Sequence, residues 1–252
     1  MNIQSALMTF LENNLFLKNG TCPICGKVLF ITKNFLCSSC EEDLPFITGP
    51  TCKTCGRQVY EKKQRPCKPC GVGRFPFAGG YTWLSYQKSA MALVYAIKFK
   101  NRPHLGIWTG NHIGQALTQV SWIWEIDLII PIPLHPSRLE ERGYNQSEKI
   151  ATGLLEGLSQ NVKPNQNMPE LKPQCLRRSR DTPHQVGQGR DERLNNLIGA
   201  FSAEYLEAIQ GKIILLVDDV LTTGATLAEA SATLLEAGAR KVYIVTVCAV
   251  PE

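Results

Sequence analysis

Two adjacent carboxylates, Asp218 and Asp219, directly follow the apolar run Ile213–Val217, and the string "LTTGAT" follows them. If "IILLV" is a central strand, the acids emerge at its carboxyl end and the turn delivers the chain into the next helix. Thr222 and Thr223 then offer hydroxyls, and Gly224 allows close backbone approach. The amides from Thr223 through Ala225 to Thr226 point out of the helix start and form a cradle for a phosphate. The carboxylates would repel phosphate; they suit vicinal hydroxyls, which donate hydrogen bonds, or a divalent cation. A ligand with a phosphate at one end and a ribose diol beside it satisfies both halves. A helix cap and a solvated acid would explain a threonine. They would not explain two acids at the mouth of an apolar strand, where desolvation raises their free energy. The string is not a Walker A loop, because the lysine is missing.

The second group with chemistry is made of thiols. Eight of the ten cysteines form four CxxC pairs: Cys22/Cys25, Cys37/Cys40, Cys52/Cys55 and Cys67/Cys70. The pattern repeats every 30 residues, with the second pair of each repeat starting 15 residues after the first, which marks a tandem duplication. Two knuckles across a short hairpin complete a tetrahedral four-cysteine zinc site, so two consecutive zinc ribbons holding two structural zinc ions are expected. In the first, "KVLFI" and "NFLC" supply two short strands; Gly26 and Gly56 follow the first knuckle of each repeat, where the backbone needs positive φ. Disulfides need an oxidising compartment, and the spacing suits metal better. Cross-braced pairing of Cys22/Cys25 with Cys52/Cys55 remains open. Cys175 and Cys248 have no partner at ligand spacing, and Cys248 reads as a buried small hydrophobe.

The chain has 252 residues, is 44% hydrophobic, and carries a net charge of +5. Residues 50–75 hold seven basic residues against Glu61, whereas residues 76–252 balance at seventeen of each sign. Concentrated positive charge points to an anionic partner. Lys53, Arg57, Lys62, Lys63, Arg65 and Lys68 in the second ribbon suit the phosphate backbone of single-stranded nucleic acid; a solvated surface is the plain alternative. "NIQSALMTFLENNLFLK" reads as an amphipathic helix rather than a signal peptide, and no apolar run approaches the roughly 20 residues that cross a bilayer. A soluble cytoplasmic protein is expected.

From Phe77 the pattern alternates strands and helices. "GYTWLSYQ", "IDLIIPIPL", "KIILLVDDV" and "KVYIVTVCAV" read as strands. "SAMALVYAIKFK", "HLGIWTGNHIGQAL", a segment from Tyr144 to Gly157, and "GATLAEASATLLEAG" read as helices. Strands that are apolar throughout belong in a parallel sheet covered on both faces. The expected organisation is a helix over 1–20, a double zinc ribbon over 21–75, and a doubly wound α/β domain over 76–252.

"VDDVLTTGATL" resembles the phosphoribosyl-pyrophosphate signature of type I phosphoribosyltransferases. "IIPIPLHPSRLEERGYNQSEKIA", "RRSRDTPHQVGQGRDERLNNLIGAF" and the tandem ribbons resemble the ComF family of competence-associated proteins. Gln188 departs from the apolar residue expected there. The resemblance implies that Asp218 and Asp219 hold the ribose hydroxyls of the donor, that Thr222 to Thr226 hold its 5-phosphate, and that His135 to Arg138 meet its pyrophosphate, bridged by magnesium. It also implies a mobile loop over Leu176–Arg193, which has no apolar period to anchor it. Arg177, Arg178 and Arg180 would there neutralise departing pyrophosphate, with Arg178 and Arg180 acting catalytically beside the acidic doublet. Arg142, Tyr144, Asn145 and Gln146 read as pyrophosphate contacts or as scaffolding.

Lys98 and Lys100 read as surface lysines. "GYTWLSYQKSAMALVYAIKFK" reads as a possible hood, with Trp83 or Tyr86 for stacking, or as core. The family implies a role in natural transformation, handling incoming single-stranded DNA with helicase or recombination-mediator partners. The alternatives are a binding module without turnover and a nucleobase-salvage transferase.

Overall fold

A computed structural model describes residues 20–29, 35–60, 66–73, 75–180 and 199–252. The expected N-terminal helix, Lys62, Lys63, Arg65 and Gln188 lie outside the described residues. The chain runs through two short helices, α1 (Ser38–Glu42) and α2 (Lys68–Gly73), then β1 (Gly79–Ser85), α3 (Lys88–Phe99), α4 (Pro103–Leu117) and β2 (Leu128–Pro131). Next come α5 (Pro136–Arg142), α6 (Gln146–Ser159), β3 (Glu170–Leu171), β4 (Leu176–Arg178), β5 (Phe201–Ala203) and α7 (Leu206–Ile209). The chain ends with β6 (Ile213–Leu221), α8 (Ala225–Glu236) and β7 (Lys241–Ala249).

Five strands form one parallel sheet in the order β1-β7-β6-β2-β3. Its strands are apolar along their length because both faces are covered. Ile213, Leu215 and Val217 of β6 face α3, α4 and α6, whereas Ile214 and Leu216 face α8 and the β4–β5 hairpin. Each such buried side chain contributes about 1.5–3 kcal/mol relative to exposure. The helix following β2 lies on one face and the helix following the adjacent β6 on the other. The crevice between the carboxyl ends of β2 and β6 is therefore a topological switch point.

Helices α4 and α6 approach so closely that only glycine fits the seam. A Cβ on Gly110 would stand 2.0 Å from the Ile150 carbonyl oxygen, and one on Gly153 would stand 1.9 Å from that of Ile107. This contact seats α6 against the sheet and delivers its N-terminus to the switch point.

The tandem ribbons do not stay together. Cys22, Leu29, Leu36 and Leu44 belong to the α3/α4/α6 side of the core, whereas Cys52, Cys55, Val59, Cys67 and Cys70 belong to the α8 side. The connecting segment crosses the outer edge of β1: Phe46 pairs antiparallel with Leu84, and the Ser85 amide donates to the Pro45 carbonyl at 2.9 Å. That edge would otherwise be an unpaired ladder.

Two expectations are corrected and one open reading is narrowed. "NFLC" is not a strand over its described residues; Cys37 is the N-cap of α1, and the second knuckle of each repeat lies on a helical turn, with Gly71 N donating to Cys67 O at 2.8 Å. One helical turn places residues i and i+3 on one face and aims two thiols inward as a knuckle would. For "GYTWLSYQ", read as a strand with Trp83 in either a hood or the core, the core reading fits Trp83: β1 is an edge strand of the main sheet, and Trp83, 7% exposed, packs edge-on against Phe46. The start of the Leu176–Arg193 segment is anchored, because β4 pairs antiparallel with β5 and Leu176 is buried.

Candidate functional site

Each ribbon gathers its own four thiols. The Sγ atoms of Cys22, Cys25, Cys37 and Cys40 lie within 4.8 Å of one another, as do those of Cys52, Cys55, Cys67 and Cys70, so the pairing is sequential rather than cross-braced. Cys25 and Cys37 are 3.7 Å apart, as are Cys55 and Cys67. That is far beyond a disulfide bond. It matches the edge of about 3.8 Å of a sulfur tetrahedron around zinc with bonds near 2.3 Å. The sulfur sets fit two structural zinc ions. The first site is the more open: Cys25 is exposed, whereas all four thiols of the second are buried.

At the switch point, Asp218 and Asp219 are 9% and 4% exposed. Asp218 Oδ1 accepts from Ser147 Oγ at 3.1 Å and from the Asp219 amide at 2.9 Å. Asp219 Oδ1 lies 2.8 Å from Lys98 Nζ at the end of α3, while its buried Oδ2 has no hydrogen-bond partner among the described residues. A buried carboxylate oxygen left in that state carries a desolvation cost that a donor from a ligand removes. Burial, and next the charge of Asp219, push the Asp218 carboxyl up to about 7, against the pull of Lys98 and of its hydrogen bonds. Burial opposes the Lys98 ammonium, but the two aspartates outweigh it and hold its pKa above the ordinary lysine value.

After β6 the chain turns through exposed Thr222 and half-buried Thr223 to Gly224, the left-handed N-cap of α8 at φ 87°. Thr223 Oγ1 accepts from the Ala225 amide at 3.4 Å. Ala225 and Thr226 open the helix, and the N-terminal end of its dipole faces the same mouth as the acids. At the end of β2, His135 caps α5 by accepting from the Ser137 amide, and the Arg138 amide donates to His135 O at 3.0 Å. Ile132 N donates to Val217 O at 2.9 Å, which fixes that loop beside Asp218.

Arg142, Tyr144, Asn145 and Gln146 act as scaffolding. Asn145 caps α6 through the Ser147 amide at 3.0 Å and donates to Ile132 O at 3.0 Å. Tyr144 Oη donates to Ile97 O, and Arg142 donates to Gln146 Oε1 while lying 5.1 Å from the Phe99 ring. The same α6 start holds Ser147 against Asp218.

Arg178 lies on β4 with its guanidinium 5.6 Å from the Phe201 ring, and Arg180 Nη2 stands 2.8 Å from where a Cβ on Gly199 would be. Both arginines thus precede the span 181–198, which lies outside the described residues, and Arg180 reaches Gly199 at its far end. Lys53 and Lys68 are exposed. Arg57 leaves the nucleic-acid set. It is 3% exposed, and its guanidinium donates to Thr222 O at 2.8 Å, Val250 O at 3.2 Å and Cys55 Sγ at 3.4 Å.

Sequence reasoning missed Lys98, Ser147 and this role of Arg57. Each acts on a residue more than 70 positions away, so local spacing carried no signal.

The profile of the double zinc ribbon domain matches residues 14–71, and that of the phosphoribosyl transferase domain matches residues 153–252. The chain is thus similar to a double zinc ribbon over its N-terminal part and to a phosphoribosyl transferase domain over its C-terminal part. Competence protein F of Haemophilus influenzae is 29% identical over 230 residues, covering 90% of this chain and 95% of that protein. The DNA utilization protein YhgH of Escherichia coli K12 is 27% identical over 240 residues, covering 91% and 96%. The resemblance to the ComF family therefore extends along nearly the whole chain. Among solved structures, glutamine phosphoribosylpyrophosphate amidotransferase from B. subtilis aligns with a TM-score of 0.40 and 21% identity, over 61% of this chain and 30% of that one. Among the described residues no helix is long and apolar enough to cross a membrane.

Proposed function

We propose that this competence-related phosphoribosyltransferase-like protein binds phosphoribosyl pyrophosphate at the switch point and acts on DNA taken up in natural transformation. One observation carries the reading: Asp219 Oδ2 is buried without a hydrogen-bond partner among the described residues, at the mouth that also receives the N-terminus of α8. A ribose hydroxyl supplies the missing donor while the 5-phosphate meets the amides of Thr223 to Thr226. The backbone of His135 to Arg138, with the Arg138 side chain, meets the pyrophosphate. Arg178 and Arg180, just before the span 181–198, supply charge to the leaving group.

Magnesium takes oxygen ligands and keeps several waters. The donor set fits an ion carried by the pyrophosphate and ribose oxygens, because Asp219 Oδ1 is already engaged by Lys98. When bound, the ion would neutralise developing charge on pyrophosphate. Asp218 and Asp219 would orient the ribose, leaving its anomeric carbon open to an acceptor. Single-stranded DNA is the proposed macromolecular partner, contacted through exposed Lys53 and Lys68, with a translocating helicase or a recombination mediator alongside in the cytoplasm. Competence protein F and the DNA utilization protein are so named for that kind of process.

The test is titration with phosphoribosyl pyrophosphate and magnesium, followed by pyrophosphate release across a panel of nucleobases and single-stranded DNA. Binding in the wild type, lost in the Asp218→Asn, Asp219→Asn double variant, is expected. Absence of binding would end this reading. Binding without turnover against any acceptor would make the protein a phosphoribosyl-recognition module.

A further inference from the structure

We infer that Arg57, a residue of the second ribbon, is a positioning residue for the phosphate loop, and that the second zinc site is thereby part of the sugar-phosphate site rather than a detachable module. The inference rests on the reading of residues 222–226 as that loop. A buried guanidinium is costly unless its donors are satisfied, and those of Arg57 are used on three separate pieces of backbone and side chain. Nε donates to the Cys55 thiol, one of the zinc ligands, at 3.4 Å; Nη2 donates to Thr222 O at 2.8 Å; Nη1 donates to Val250 O at 3.2 Å. The planar fork fixes these groups relative to one another in a way that a lysine ammonium would not.

A second contact from the same module reaches the next residues of the loop. The Phe75 ring, stacked at 5.4 Å on Phe77, stands 3.0 Å from where a Cβ on Gly224 would be. Thr222 and Gly224 are thus contacted from the ribbon side by Arg57 and Phe75. The ribbon is also sewn to the sheet: Thr82 Oγ1 donates to Cys55 O at 3.1 Å, and a Cβ on Gly56 would stand 2.7 Å from the Thr82 amide. The Lys68 amide donates to Glu252 Oε1 at 2.7 Å, which ties the second knuckle to the end of the chain.

When zinc holds Cys55, it fixes the acceptor of the Arg57 Nε bond. Groups hydrogen-bonded to metal-bound thiolates usually share the order of the site. Among the described residues the first ribbon has no counterpart. The residue following Gly26 is Lys27, where Arg57 follows Gly56, and the first ribbon packs on the opposite face of the sheet. The duplication has therefore assigned its two metals different duties.

The experiment uses the full chain. Ribose 5-phosphate and inorganic phosphate are titrated into the wild type and into Arg57→Met and Arg57→Lys, with bound zinc measured on each sample. Wild-type binding of ribose 5-phosphate checks the loop reading itself; its absence removes that reading and this inference together. With wild-type binding in hand, Arg57→Met carrying two zinc ions should bind both anions at least tenfold more weakly, and Arg57→Lys should recover part of the loss. Unchanged affinity in a two-zinc Arg57→Met protein would overturn the inference.

A second measurement does not depend on that variant folding. Chelator added to the wild type should remove the open first-site zinc before the buried second-site zinc. Ribose 5-phosphate affinity should survive loss of the first ion and fall with loss of the second. Affinity that persists after both are gone, or that falls with the first, would equally refute it.

Discussion

Lys98 Nζ lies 2.8 Å from Asp219 Oδ1, while buried Oδ2 of the same carboxylate has no hydrogen-bond partner among the described residues. The ammonium thus orients the carboxylate and offsets part of its charge, while one oxygen remains for a ligand. Lys98→Met should cost on the order of 2 kcal/mol of stability at pH 8, less than a fully buried pair because the lysine side chain is 24% exposed. It should also weaken ribose 5-phosphate binding more than inorganic phosphate binding, because the ribose end is the one Asp219 serves. Calorimetric titration of the two anions against the variant measures that split.

Asp218 gives a pH dependence of defined sign. Its folded pKa, raised to about 7 first by burial and then by Asp219, exceeds its unfolded value, so ionisation costs the fold free energy. That cost is fully present above about 7 and is relieved as pH falls toward the ordinary carboxylate range. Without ligand, the stability of the zinc-loaded protein should fall by a few kcal/mol between about pH 5.5 and 8. Asp218→Asn should flatten the profile and raise stability at pH 8. Thermal unfolding of both proteins across that range, with zinc content checked at each pH, decides it.

The α4–α6 seam predicts a reversal of the usual helix rule. Alanine normally stabilises a helix interior by about 0.5–1 kcal/mol over glycine. At Gly110 or Gly153 the added methyl would meet a carbonyl oxygen at 2.0 or 1.9 Å. Either substitution should lower stability by more than 2 kcal/mol, the cost of overpacking, and should weaken sugar-phosphate binding because α6 carries Ser147. Gly71→Ala, where nothing lies within 4 Å, is the control and should be neutral or stabilising. Denaturant unfolding of the three variants is the measurement.

If the second ribbon contacts single-stranded DNA, a Lys53→Ala, Lys68→Ala double variant should lower the slope of log affinity against log salt by about 1.4. Fluorescence anisotropy of a labelled oligonucleotide over a salt series reads it. A slope equal to that of the wild type would remove these two lysines from the interface.

The strand–acid–turn unit was legible because it is local: an apolar run, two acids and a glycine-led helix start are consecutive. The four CxxC pairs were legible for the same reason, as were β7 and α8. What escaped depends on tertiary placement. Arg57 counted as one of seven basic residues in its segment, yet its partners are Thr222 and Val250 at the far end of the chain. Lys98 looked like an exposed helix residue until β6 was placed beside α3. The seam glycines at 106, 110 and 114, with those at 153 and 157, recur every four residues. That regularity is a readable sign of close helix approach, but it does not name the partner helix.

The segment that crosses β1 at Phe46 also bears on how the protein can be taken apart. It works as a clasp around one margin of the sheet, with a four-cysteine ribbon on either side. A fragment beginning at residue 76 would show a raw edge along β1 and uncover apolar ground at Leu84 and around Ile244 on both sides at once. Such a piece should self-associate rather than behave as an independent α/β domain. The α/β part and the ribbons share one folding unit, and dissecting them by truncation would report on aggregation instead of function.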